Sequence, residues 1–102
     1  METRVPQVRS NPDDIELVRE VSLRQVSDWL LSFMGEPPDP LADRIRDLEA
    51  LKEHFSPILS RMQEGDTMWL ARSQRRGALY GHEGIALVRN GESVEYMRVW
   101  NH

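Results

Sequence analysis

The chain has 102 residues, 39% of them hydrophobic and 29% charged, the balance of an ordinary globular protein with room for one modest core. It contains no cysteine, which excludes disulfides, thiolate nucleophiles, iron–sulfur clusters and cysteine-ligated zinc. Its formal charge of −4 is unevenly spread: residues 13–66 carry 13 acids against 6 bases, and residues 67–102 carry 5 arginines against 3 glutamates, which argues against nucleic-acid binding.

Residues 1–12 show no periodicity and read as a flexible lead-in, leaving residues 13–102 as a single domain. They lack the apolar segment of a signal peptide, and no apolar run approaches the roughly 20 residues of a membrane helix, so the expected compartment is the cytoplasm with no membrane partner. From Ile15 to Val21 apolar and polar residues alternate as in a strand. Asn11-Pro12 offers a competing helix start.

Ser22-Leu-Arg-Gln25 is a capping box, and Leu23, Val26, Trp29, Leu30, Phe33 and Met34 follow at helical spacing, so a helix is expected over 23–34 with Gly35 as its stop. Glu36-Pro-Pro-Asp-Pro40 is a stiff connector. Asp39 and Pro40 open a second helix with apolar positions Leu41, Ile45, Leu48, Leu51 and Phe55. Its opposite face carries charges of both signs at neighbour spacings such as Glu49 to Lys52. Pro57 forces a kink or restart, with Ile58, Leu59 and Met62 in the next segment.

Thr67 to Ser73 reads as a strand, and a glycine-punctuated loop then leads to Gly84. Asn90-Gly91, between two β-rich runs, predicts a hairpin with a two-residue type I′ turn. Counting outward from that turn sets Arg89 opposite Glu92, Leu87 opposite Val94, Ile85 opposite Tyr96 and Glu83 opposite Arg98. Ile85, Leu87, Val94 and Tyr96 then share one face, and Ala86, Val88, Met97 and Val99 form an apolar strip on the other. The expected fold class is α+β: a small, mostly antiparallel sheet in the order β-α-α-β-β-β with two helices packed on one face.

The most polar irregular stretch is Arg72 to Gly84. Arg72, Arg75 and Arg76 have the guanidinium forks that hold phosphate or carboxylate, and His82 beside Glu83 is the best candidate general base or metal ligand. A metal would need His82 to converge with Asp66 or Glu83, since no ligand spacing occurs in the sequence, and neither a metal nor a cofactor is expected. No serine lies in a nucleophile elbow, and no Ser, His and acid are ordered together. His54 reads as a helix-end residue and His102 as terminal. Trp29, Phe33, Trp69 and Tyr96 read as core. An open second sheet face would leave Val88, Met97, Val99 and Trp100 as a protein contact, to a partner or to a second copy of the chain.

Two resemblances bear on function. Gln74-Arg-Arg-Gly-Ala-Leu79 resembles the pyrophosphate-binding turn of the GNAT acetyltransferases, whose pattern is Q/R-x-x-G-x-G/A: Gln74 and Gly77 match, and Leu79 stands where that family has a small residue. The β-α-α opening and the hairpin also look like the first half of that fold, but the half that carries its cofactor site has no counterpart here. Gly65, Asp66, Trp69, Gly84, Val88, Arg89 and Gly91 fit G-D-x-x-W followed by G-x-x-L-V-R-x-G. That pattern resembles the ends of small uncharacterised bacterial proteins and implies no activity.

The leading expectation is therefore a small, non-catalytic protein-binding or regulatory factor, of the immunity, antitoxin-like or adaptor kind. The alternative is a module that binds a small ligand or anion through Arg72, Arg75, Arg76 and His82. A degenerate acetyltransferase-like enzyme comes third.

Overall fold

A computed structural model of the chain describes residues 8–34, 39–74 and 81–101. The helical half begins at the capping box. The Ser22 N–H donates to Gln25 Oε1 at 2.8 Å and the Gln25 N–H donates to Ser22 Oγ at 3.3 Å, closing the first turn of α1 (Leu23–Met34) with the predicted bounds. The side chains of Phe33 and Met34 lie outside the described residues.

The second predicted helix is divided at Asp47 into α2 (Asp39–Arg46) and α3 (Leu48–His54), and α4 (Ser56–Leu59) follows as a separate turn. The first break is at Asp47, which takes extended dihedrals (φ −79°, ψ 106°) and accepts through Oδ1 from the N–H groups of Glu49 and Ala50. Glu49 N–H is the group that would have bonded the Ile45 carbonyl in a continuous helix. Ser27 of α1 satisfies that carbonyl, donating its hydroxyl at 2.9 Å from a buried position. The second break is the restart at Pro57 anticipated from sequence.

The sheet is antiparallel with five strands in the order β1-β5-β4-β3-β2, so the α+β class holds with one strand more than expected. The strands are β1 (Val8–Ser10), β2 (Ile15–Glu20), β3 (Thr67–Ser73), β4 (His82–Arg89) and β5 (Glu92–Asn101). Residues 15–20 are strand, not helix, and part of the expected lead-in, Val8–Ser10, is an edge strand on β5. No described helix is long and apolar enough to cross a membrane.

Asn90 (φ 55°) and Gly91 (φ 81°) both take the left-handed conformation that a type I′ turn requires, and Arg89 pairs with Glu92. The register predicted beyond that pair is not the one observed. Val88 pairs with Ser93 but Leu87 pairs with Glu95, leaving Val94 as the extra residue of a β-bulge. A one-residue slip exchanges the faces of everything downstream. Ile85 therefore pairs with Met97, and Ala86 with Tyr96.

The helix-side core is Val21, Val26, Trp29, Leu51, Phe55, Ile58, Leu70, Ile85, Leu87 and Met97. Tyr96, with Ile15, Ala71 and Ala86, packs on the other face. The expected strip of Ala86, Val88, Met97 and Val99 consequently does not form. Met97 is 1% exposed under the helices, while Val88 is 7% exposed on the opposite face.

That opposite face is covered by the chain itself. Residues 11–14 carry it from β1 at one edge of the sheet to β2 at the other. Asn11 N–H donates to the Val94 carbonyl, Ser93 Oγ to the Pro12 carbonyl and Gln74 N–H to the Asp14 carbonyl. Five residue steps reach about 17 Å at full extension, less than the roughly 19 Å of four flat inter-strand gaps. The sheet must therefore curl toward the strap, which explains how a face without helices buries Tyr96 completely.

A side chain at Gly84 would meet the backbone of β5. A Cβ there would lie 2.0 Å from the Met97 carbonyl oxygen. Gly84→Ala is expected to cost about 3 kcal/mol, read as a lowered midpoint in urea. An unchanged midpoint would show that β4 and β5 do not approach this closely.

Candidate functional site

The arginine loop is divided by the sheet. Arg72 shares the helix-side face with Leu70 and pairs with Glu16 across from it on β2, its Nε donating to the carboxylate. His82 pairs next to Glu83 on β4 and points to the strap side, so Arg72 and His82 stand on opposite faces. Arg75, Arg76, Gly77 and Leu79 lie outside the described residues, as does His102. Gln74, the first residue of the acetyltransferase-like turn, donates Nε2 to the Ile15 carbonyl at 3.1 Å and so holds the strap. A strand begins at His82, where that family places a helix.

His82 is a buried member of the strap-side layer, not a loop residue. Its N–H donates to Ser73 Oγ at 3.1 Å, and Nδ1 shares a 2.9 Å hydrogen bond with the Tyr96 hydroxyl. Asp14 Oδ2 stands 3.9 Å from Nε2. Asp14 is itself gripped by both guanidinium nitrogens of Arg9, at 3.2 and 2.9 Å, which holds its carboxyl below the usual range. Burial pushes the Tyr96 hydroxyl upward, so it stays neutral where a free tyrosine ionises. The convergence of His82 with Asp66 that a metal would require does not occur, and the described residues contain no group of three or more His, Asp or Glu placed to hold a metal.

Asp66 belongs elsewhere. Arg89 Nε donates to Asp66 Oδ1 at 2.9 Å and Arg89 Nη2 to Oδ2 at 2.8 Å, with Gln63 N–H adding a third bond at 2.9 Å. This bidentate pair ties the turn before β3 to the end of β4. The Gly-Asp and Leu-Val-Arg-x-Gly halves of the sequence pattern are thus two sides of one clamp. Gly65 (φ 88°) and Gly91 close the two turns that present it. Trp69 faces the strap side, half-buried, with Nε1 donating to Thr67 Oγ1 at 3.0 Å, and not the helix-side core.

One apolar concavity is not disclosed by spacing. A groove of about 520 Å³ opens between α1, α2, α3 and the end of β5. Leu30, Ile45, Leu51 and Val99 line its depth, Leu41 and Trp100 stand at its mouth, and Arg44, Glu53 and His54 provide its polar groups. A second bulge makes it. Gly84 pairs with Arg98 but Glu83 pairs with Trp100, so Val99 is an extra residue and Trp100 turns to the helix side. Val99 and Trp100, expected on opposite faces, line the same groove. Leu41 is 41% and Trp100 40% exposed, among the most open large apolar residues of the described chain.

No family model, curated protein or solved structure matches the chain.

Two pH effects follow. Arg89, with the Gln63 N–H, holds the Asp66 carboxyl at about 2, below the roughly 3.9 of an unfolded aspartate. A lowered native value means stabilisation that is full above the unfolded value and lost as pH falls through the native one. Asp66→Asn is expected to lower the melting temperature at pH 7, with the gap from wild type closing between about pH 4 and pH 2. A gap that is flat across this range would contradict the clamp. For Tyr96 the sign reverses, because a raised native value makes rising pH favour the unfolded chain, whose tyrosine ionises near pH 10. Tyr96→Phe is expected to cost about 1–2 kcal/mol at pH 7 by removing the hydroxyl that is hydrogen-bonded to His82 Nδ1. Denaturation curves should show that cost shrinking above about pH 10; a cost that grows there would be evidence against a buried, neutral hydroxyl.

Proposed function

We propose that the chain is a small cytoplasmic protein-binding or regulatory factor whose contact surface is the groove between α2, α3 and the end of β5. The observation that carries this reading is the pairing of Leu41 and Trp100 at the mouth of an apolar groove, each about two-fifths exposed. Tryptophan at the centre of such a surface supplies large apolar area with little entropy to lose on binding. The groove's volume lies within the range that accommodates one or two apolar side chains or a small ligand.

The state of the buried polar groups supports binding over catalysis. Ser27 holds a helix carbonyl, Asp66 holds Arg89, and Ser73 and His82 bond each other's strands or Tyr96. Each of these bonds maintains the fold. Arg72 is likewise engaged with Glu16, which weakens the claim of the arginine loop to be an anion site.

The test is affinity capture with the purified wild type, Leu41→Asp, Trp100→Ala and Arg72→Glu. Each groove variant is expected to weaken partner binding at least about tenfold, with Arg72→Glu near wild type. Loss of binding in Arg72→Glu with both groove variants unaffected would transfer the function to the arginine loop.

A further inference from the structure

The sheet edges are poorly suited to receiving a partner strand. β1 has only three residues, and β2 is interrupted by a bulge at Val18 and lined by Glu16, Arg19 and Glu20. The His82–Tyr96 layer is closed under the strap and is committed to holding it. The groove beside Trp100 remains, and its rim says more about the occupant than its apolar depth does.

Arg44 of α2 and Glu53 of α3 both border the groove, and both are exposed. The ion pairs among the described residues lie elsewhere, and neither the Arg44 nor the Glu53 side chain has a hydrogen-bond or ion-pair partner among them. One unpaired cation and one unpaired anion flanking an apolar centre make a surface that is complementary to itself. In a two-fold contact a patch meets its own copy, so an opposite-signed rim is attractive where a like-signed rim would repel.

We propose that the groove is an isologous dimer interface in which Trp100 and Leu41 of each chain enter the other's groove and the Arg44 guanidinium of each meets the Glu53 carboxylate of the other. This rests on the groove being the binding surface, and it names a second copy of the chain as the occupant. The charged pairs lie at the rim, so they set specificity and salt dependence, while the apolar anchors supply most of the affinity.

The experiment is a charge swap read by light scattering over a concentration series. The wild type is expected to rise from 11.9 kDa toward twice that mass as concentration increases. Arg44→Glu and Glu53→Arg, each placing like charges across the axis, should weaken the dimer at least about tenfold, and the double variant Arg44→Glu/Glu53→Arg should recover to within about threefold of wild type. Trp100→Ala should be monomeric throughout. Circular dichroism and urea midpoints establish that these surface variants fold. A wild type that stays at 11.9 kDa at every concentration would overturn the dimer, as would a double variant no better than the singles. If that monomeric wild type still bound a different protein in a Trp100-dependent manner, the groove would keep its binding role and only the identity of the occupant would fall. A dimer untouched by Trp100→Ala and by both charge reversals would place the interface outside the groove.

Discussion

One extra residue in β5 decides what this fold can bury. In a straight ladder from the Asn90-Gly91 turn, Tyr96 would face the helices and Met97 would face away. The bulge at Val94 exchanges them, and Met97 joins Ile85 and Leu87 beneath α1, α3 and α4. The exchange suits the chemistry of both residues. Methionine has no hydrogen-bonding demand in an apolar layer, whereas a buried tyrosine hydroxyl needs a partner. On the strap side Tyr96 finds His82 Nδ1.

The strap follows from the same arrangement. A sheet with one face under helices normally leaves the other to solvent, but here Tyr96, Ala86 and Ala71 sit on that second face and need cover. Residues 11–14 provide it at the shortest workable length, curling the sheet as they cross. The cover is fastened at each stage, by Ser93 to Pro12, by Arg9 to Asp14 and by Gln74 to Asp14 and Ile15. At the far end of the hairpin the Asp66–Arg89 clamp fixes the turn before β3 against β4. The sequence pattern around Gly65, Asp66, Arg89 and Gly91 is thereby accounted for as architecture.

Local signals were legible in the sequence wherever one residue's own chemistry decides the outcome. Ser22 with Gln25 marked the start of α1, Asn90-Gly91 the turn, and Pro57 the restart of the last helix. What could not be read depends on partners distant in sequence. Asp47 breaks its helix while Ser27, on another helix, accepts the consequence. The register of β5 depends on packing across two faces, since Val94 is compatible with a straight ladder as well as a bulge. The strand Val8–Ser10 has too few residues to show alternation and exists because β5 offers it an edge.

The site was legible only in part for the same reason. Trp100 drew attention as an apolar residue past the apparent pairing, but which residues shared its face depended on the second bulge at Val99. Arg72 and His82 looked like neighbours along the chain, yet a sheet places nearby residues on opposite sides according to parity. The groove is assembled from α1, α2, α3 and β5, so no single segment carries its signature.

The register of the hairpin is the claim on which both layers and the groove rest. Cross-strand nuclear Overhauser contacts between backbone protons of β4 and β5 report it directly. The bulged register predicts contacts of Leu87 with Glu95, Ile85 with Met97 and Glu83 with Trp100. Contacts of Leu87 with Val94 and Ile85 with Tyr96 would mean an unbulged hairpin, with Tyr96 under the helices and Met97 turned away from them.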